Sequence, residues 1–164
     1  MNNNMQQRPQ PYGIPQPYPV RQLAQLCIAH NVFTEEQMQK IEYLEELQKF
    51  ENGTIGNAPN DPNKTNSLDL NYRNSKVSWI YASQNSIEIF NRFTEVLLQV
   101  NQDHFRREIS GFEAMQYTIY EEGGFYDWHW DQEMISSKFM RKISATIMVS
   151  DPNDYEGGEF AFFD

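Results

Sequence analysis

The sequence predicts an α+β fold in which helices pack on a β-sandwich or barrel. Helical patterns come first along the chain, and short apolar runs separated by turns come later, which is typical of an α+β protein with antiparallel strands. Hydrophobic residues make up 39% of the 164 residues and aromatic residues 14%, so the chain can bury a core of ordinary size.

Two helices are indicated by capping residues and by apolar spacing. Thr34-Glu35-Glu36-Gln37 is a capping-box pattern, and Asn52-Gly53 is a typical helix end. Asn85 or Ser86 is placed to cap a second helix. The apolar stripe of the first helix is Met38, Ile41, Leu44, Leu47 and Phe50, and that of the second is Ile87, Phe90, Phe93 and Leu97.

Four segments are predicted to be strands. They are Val77–Tyr81, Phe112–Tyr120, Ile143–Val149 and Glu159–Phe163, of which the third is the most apolar and the best candidate for a central strand. Residues 51–71 are rich in Asn, Gly, Pro and Asp, so we predict a loop there, long enough to be mobile or to cover a site.

The charge balance disfavours several kinds of partner. The chain carries 13 Lys and Arg against 23 Asp and Glu, a net charge of −10, and such a surface repels nucleic acid. Cys27 is the one cysteine, which fits a reducing compartment. The start of the sequence lacks a signal core, and no apolar run is long enough for a membrane helix. We therefore expect a cytoplasmic protein with no membrane and no nucleic-acid partner.

The first 20 residues differ in composition from the rest. They are rich in Asn, Gln and Pro, and five of the eight prolines of the chain lie among them. Such a segment has little apolar surface to bury, so we predict a disordered or polyproline-like tail before a domain that spans residues 21–164. A ligand for a proline-binding module is the functional alternative.

The tripeptide His129-Trp130-Asp131 is the candidate metal site. In a strand, residues i and i+2 point to the same face, so His129 and Asp131 would present a nitrogen and an oxygen ligand together while Trp130 packs on the other face. These are two of the three ligands of the 2-His-1-carboxylate triad of non-haem Fe(II) oxygenases. A histidine that simply hydrogen-bonds a neighbouring carboxylate has the same sequence, so the tripeptide alone does not separate the two.

Several further motifs occur together with this tripeptide. In chain order they are R-N-S-K-V-S-W-I at 73–80, Tyr-x-x-Gly at 120–123, Tyr126 to Asp131, R-K-I-S-A-T-I-M-V-S at 141–150 and Y-E-G-G-E-F at 155–160. With them, residues 30–164 resemble the 2-oxoglutarate- and Fe(II)-dependent dioxygenases of the prolyl 4-hydroxylase type. These are oxidoreductases of bacteria, tailed phages and eukaryotes with a cupin-like jelly-roll core, also called a double-stranded β-helix.

The resemblance implies an activity and a set of ligands. It implies an enzyme that uses Fe(II), 2-oxoglutarate and O2 to hydroxylate a C–H bond of a peptidyl (prolyl-type) or small-molecule substrate, with succinate and CO2 as co-products and ascorbate as a further ligand. His129 and Asp131 match two iron ligands. Tyr120 matches a tyrosine that binds the 2-oxoglutarate carboxylate, although an ordinary strand tyrosine fits the sequence too.

Other matched positions have simpler explanations. Met148 matches a position that lines the co-substrate pocket, but packing is the interpretation we favour. Gly157-Gly158 matches a turn that needs positive φ. Arg141-Lys142 is most simply a solvated strand end. Tyr126 and Trp128 flank the metal ligands and fit either substrate contact or packing.

The sequence also departs from the family pattern. The family has a second iron-binding histidine downstream, followed by an Arg or Lys that pairs with 2-oxoglutarate, yet no histidine follows Asp131 here. His30 and His104 lie upstream and match neither. A jelly roll has about eight strands, and only two are predicted after Asp131. We therefore expect a domain that lacks its C-terminal strands, part of a longer parent dioxygenase, with this chain alone inactive and its Fe(II) site weak or absent.

Two other functions remain open at this point. One is a non-catalytic jelly-roll protein, binding or virion-associated, in which the site has degenerated; the proline-rich tail suits such a role. The other is a nucleic-acid demethylase of the same superfamily, which the charge of −10 disfavours.

Overall fold

The computed structural model describes residues 20–23, 26–55, 67–131, 134–136 and 139–162. The predicted tail therefore lies outside the described residues, except for its last position. Neither helix of the described part is long and apolar enough to cross a membrane.

The chain divides into two compact units, Met1–Val32 and Phe33–Asp164. In the first unit, β1 (Val20–Leu23) pairs antiparallel with β2 (Leu26–Ala29). This hairpin was not predicted from the sequence. All of the predicted site residues belong to the second unit.

The first helix, α1 (Glu35–Glu46), begins with the predicted capping box. The Gln37 amide donates to Thr34 Oγ1 (3.2 Å), and the Thr34 amide donates to Gln37 Oε1 (3.1 Å). The helix ends earlier than the predicted Asn52-Gly53, because the Gln48 side chain donates to the Leu44 carbonyl (3.0 Å) and the chain then enters a sheet.

The second helix, α2 (Ile87–Val100), begins after Ser86 as predicted and continues into a single π-helical turn, Asn101–Phe105. The fully buried Ser86 hydroxyl does not cap a helix amide. It donates to the Tyr81 carbonyl (2.8 Å) and accepts from the Ser83 amide (2.9 Å), so it fixes the turn that leads into the helix.

A three-stranded antiparallel sheet forms the centre of the second unit. Its order is β3 (Glu51–Asn52), β5 (Lys76–Ile80) and β6 (Met115–Ile119), with Lys76 opposite Ile119. The two longer strands confirm the predictions at 77–81 and 112–120, with shorter bounds in the second case.

Two small antiparallel pairs complete the described strands. β4 (Arg73–Asn74) pairs with β7 (Phe125–Tyr126), and Arg73 lies opposite Tyr126. β8 (Met134–Ser136) pairs with β9 (Phe139–Met140) through an irregular register. The pairing of β4 with β7 brings Arg73 beside the segment that carries His129.

The helices pack on one face of the central sheet. Ile41 and Leu44 of α1, Ile80 of β5 and Ile89 of α2 form the buried cluster. Partly buried residues around it are Phe33, Met38, Phe90, Met115, Tyr117 and Val149. The fold is therefore mixed α and β, with helices on antiparallel strands as predicted.

The two late strands that the sequence predicted are not formed in the described residues. Ile143–Val149 has no regular secondary structure and is mostly half-buried or exposed, although Val149 packs against the core. Residues 159–162 are irregular and exposed. A strand must satisfy its backbone groups by pairing, and no described residue pairs with either segment. The described strands close no barrel.

Ile89 and Ile87 provide a matched test of this core. Ile89 is 2% exposed and Ile87 is 45% exposed, and both lie in the first turn of α2. We expect Ile89→Ala to lower the free energy of unfolding by about 2–5 kcal/mol, because it leaves a cavity. Ile87→Ala should change it by less than about 1 kcal/mol. Urea unfolding measures both, and equal effects would contradict the helix orientation.

Candidate metal centre

The two predicted metal ligands come together, but not on a strand. β7 ends at Tyr126, and residues 127–131 are irregular, so the predicted strand periodicity does not apply. Even so, His129 Nε2 lies 3.3 Å from Asp131 Oδ1. Two ligand atoms about 2.1 Å from one metal ion and about 90° apart are about 3.0 Å from each other, so the observed spacing fits a shared ion.

A backbone carbonyl orients the imidazole of His129. Its Nδ1 lies 2.7 Å from the carbonyl oxygen of Asp127, which can only accept, so Nδ1 carries the hydrogen and donates. The other nitrogen, Nε2, then faces the Asp131 carboxylate. This is the arrangement in which the outward hydrogen bond of a metal-ligating histidine fixes its tautomer. An imidazolium–carboxylate ion pair has the same geometry.

Aromatic contacts hold the irregular segment in place. The ring of Tyr126 stacks on the His129 imidazole, with centroids 3.6 Å apart and planes at 14°. Tyr72 meets Tyr126 edge-on at 5.9 Å. The Tyr72 hydroxyl donates to the Trp128 carbonyl, and the Tyr72 carbonyl accepts from the Asp127 amide (2.9 Å). The ring of Tyr126 therefore supports the His129 imidazole directly, and Tyr72 supports the ring of Tyr126.

Arg73, a buried cation that is 6% exposed, lies against the ring of Tyr126. Its Nε donates to Ser75 Oγ (2.9 Å), Nη1 to the Thr54 carbonyl (3.1 Å) and Nη2 to Gln116 Oε1 (2.8 Å). Its guanidinium carbon lies 4.5 Å from the centroid of the Tyr126 ring. All of these partners are neutral, and the described residues give Arg73 no carboxylate partner.

A second arginine holds the backbone at the other ligand. Arg141 forms a bidentate pair with Glu113, at 2.8 and 3.2 Å, and its Nη1 donates to the backbone carbonyl of Asp131 (3.1 Å). The sequence suggested a solvated strand end for Arg141-Lys142, and for Arg141 that was wrong. The long-range pair with Glu113 was not visible in the sequence.

Tyr120, the predicted co-substrate residue, lies just after β6 and is half-exposed. Burial of its hydroxyl raises the pKa of Tyr120, the nearby Arg73 charge opposes the rise, and the Asp131 carboxylate adds to it. Burial likewise raises the pKa of Tyr126. The phenol of Tyr120 therefore shares its electrostatic surroundings with Arg73 and the candidate ligand Asp131, and it remains a donor at neutral pH.

Other predicted positions are less involved in the site. Trp130 is 88% exposed, so the expected packing on the opposite face is wrong. Met148 is exposed in the irregular segment. Gly157 and Gly158 have φ of 82° and 69°, which confirms the predicted need for glycine. The described residues contain no group of three His, Cys, Asp or Glu side chains that could hold a metal ion.

Sequence reasoning missed Tyr72 and Arg73 as residues of the site. The 73–80 motif included Arg73 only as the start of a strand. The neighbours Asn74, Ser75 and Lys76 are polar, so local composition does not distinguish Arg73 from an exposed arginine.

Comparisons of the chain with protein-family models, with curated proteins and with solved structures gave no match.

Tyr120→Phe tests the electrostatic environment of the site. The pKa of Tyr120 in the folded state lies above the unfolded value of about 10. The hydroxyl therefore contributes stability that is present below about pH 10 and is lost as the pH rises through the folded-state pKa. In the wild-type chain Tyr117, which is partly buried and donates to Glu45 (2.7 Å), adds to this loss, as does Tyr126. We expect Tyr120→Phe to reduce the loss of stability above pH 10.

Urea unfolding at a series of alkaline pH values, together with tyrosine absorbance titration, measures the effect. Tyr43→Phe, which changes a similarly exposed tyrosine on α1, is the matched control. If Tyr120→Phe behaves like Tyr43→Phe, the Tyr120 hydroxyl is not shielded as described.

Proposed function

We propose that this chain carries the iron-binding half-site of a 2-oxoglutarate- and Fe(II)-dependent dioxygenase with a jelly-roll core. The observation that carries the proposal is the His129–Asp131 pair. The imidazole has committed its Nδ1 hydrogen to a backbone carbonyl, and its Nε2 faces a carboxylate oxygen at 3.3 Å. The motif order in the sequence supports the same reading, and the proposed substrate is a peptidyl prolyl-type group or a small molecule.

Each residue of the candidate site would have a separate role. When bound, Fe(II) with 2-oxoglutarate and O2 supplies the oxidising power for C–H hydroxylation. His129 and Asp131 would hold the metal, and Asp127 would keep the imidazole in the tautomer that leaves Nε2 free. Tyr120, whose phenol is protonated at neutral pH and whose pKa burial raises further, would donate a hydrogen bond to a co-substrate carboxylate.

The donor set fits a metal only in part. One imidazole and one carboxylate suit Fe(II), but a facial triad needs a third protein ligand. Within the described residues no third His, Cys, Asp or Glu joins the pair. A catalytic site would need that ligand from outside the described residues.

A non-catalytic role is the second candidate, and the same incomplete donor set favours it. In that case the His129–Asp131 pair is an ion pair that stabilises the 127–131 segment. The jelly-roll core would then serve binding, and metal would have no specific effect on His129. The two candidates therefore make opposite predictions for metal titration.

Metal titration of the His129 signals separates these candidates. We expect Mn²⁺ to broaden the NMR signals of His129 and its neighbours selectively, with weak affinity because the described residues supply two protein ligands. His129→Ala and Asp131→Ala should each abolish the effect. His30→Ala, an exposed histidine of the first unit, should leave it unchanged.

Activity is measured separately, as succinate formed from 2-oxoglutarate with Fe(II) and O2. We expect it in the longest natural chain that contains these 164 residues, and we expect His129→Ala to remove it. Metal binding that survives both His129→Ala and Asp131→Ala would contradict the proposed site. Metal binding at His129 without succinate formation by that longer chain would contradict the proposed activity and leave the metal site in place.

A further inference from the structure

We propose that Arg73 is a positioning residue for the His129 imidazole and that it acts through the ring of Tyr126. The proposal rests on the function proposed above for the importance of His129. The contacts themselves are present in the metal-free chain and are tested there first.

Three hydrogen bonds hold the guanidinium of Arg73 in place. Its three hydrogen bonds go to three different parts of the chain: Thr54 after β3, Ser75 between β4 and β5, and Gln116 in β6. Because the guanidinium is planar and its donors are rigidly spaced, three such acceptors set the orientation of its plane. A lysine ammonium carries the same charge but cannot satisfy three acceptors that are arranged for a planar fork.

Arg73 in turn orients the ring of Tyr126. Tyr126 lies opposite Arg73 in the β4–β7 pair, and the guanidinium carbon sits 4.5 Å from the centre of its ring. A cation over an aromatic face is attracted by the negative charge density of that face. The ring of Tyr126 is therefore held against a fixed surface, and Tyr72 supports it edge-on.

The tyrosine in turn sets the plane of the imidazole. At 3.6 Å and 14°, the imidazole of His129 covers one face of the Tyr126 ring, so the guanidinium must lie on the other face. The hydrogen bond to Asp127 fixes the direction of Nδ1 but not the tilt of the ring. The stack supplies the tilt, and with it the approach of Nε2 to Asp131.

A purely structural role for Arg73 makes a different prediction. If Arg73 only ties strands together, its removal lowers stability but leaves the ring of His129 where it is in the molecules that stay folded. If it positions His129, the imidazole signals move in folded protein. The NMR signals of the His129 ring therefore distinguish the two roles, whereas a loss of thermal stability fits both.

The experiment records the NMR signals of the His129 ring in metal-free protein. We expect Tyr126→Leu to move the ring-proton signals downfield, because a stacked aromatic face no longer shields them. Tyr126→Phe should retain the wild-type shifts. Arg73→Gln and Arg73→Lys should both move the signals in the direction of Tyr126→Leu, by a smaller amount.

Two matched substitutions serve as controls. Tyr43→Leu removes a half-exposed tyrosine from α1, and Arg92→Gln removes an arginine from an ion pair on α2. Neither should move the His129 signals. If Arg73→Gln does not fold, Arg73→Lys and the two Tyr126 variants still decide the outcome.

Co²⁺ titration of the same variants connects the stack to the metal site. Loss of a residue that orients a ligand typically weakens metal binding by about 10–100-fold, so we expect this loss in Tyr126→Leu and wild-type affinity in Tyr126→Phe. Unchanged His129 signals in folded Arg73→Lys and Tyr126→Leu would overturn the proposal. Wild-type protein that binds Co²⁺ equally well after His129→Ala and Asp131→Ala would overturn the proposed function, while the ring signals would still test the stack.

Discussion

The buried guanidinium of Arg73 is the interaction on which the surroundings of the candidate site depend. Moving an ion of this size out of water costs several kcal/mol even after relaxation. Here Ser75, Thr54, Gln116 and the face of Tyr126 offset that cost. Since these partners lie on separate segments, the burial of one charge is possible only when β3, β5, β6 and β7 are all in place. The central sheet and the candidate site therefore both depend on the buried guanidinium of Arg73.

A site built on irregular backbone needs such anchors more than a site built on a strand. Residues 127–131 have no ladder of hydrogen bonds to fix them. They are held instead near each end, by Tyr72 at the Asp127 amide and the Trp128 carbonyl, and by Arg141 at the Asp131 carbonyl. Side chains held by packing and by outer hydrogen bonds keep their geometry better than side chains on a free loop. Both ligands are thus positioned through their backbone as well as their side chains.

Local features of the sequence predicted the structure well, and distant pairings did not. The capping box at Thr34 and the helix start at Ser86 depend on neighbouring residues, and both were predicted at the correct positions. Ile143–Val149 has strand-like composition, but a strand also requires a partner, which composition does not specify. Arg73 was missed as a site residue because its acceptors Thr54 and Gln116 are 19 and 43 residues away. Residue types were enough to select His129 and Asp131 as candidates, whereas the residues that support them were not visible in the sequence.

The exposure of the two candidate ligands bears on how tightly they could hold a metal ion. The side chains of His129 and Asp131 are 31% and 53% exposed, so the open side of the pair faces solvent in the described structure. Water at this position competes for the metal and weakens every charge interaction there. A segment that supplied a third ligand would approach from this open side and would exclude that water. Under the proposed function, strong metal binding and hydroxylation would depend on the same third ligand and would therefore appear together.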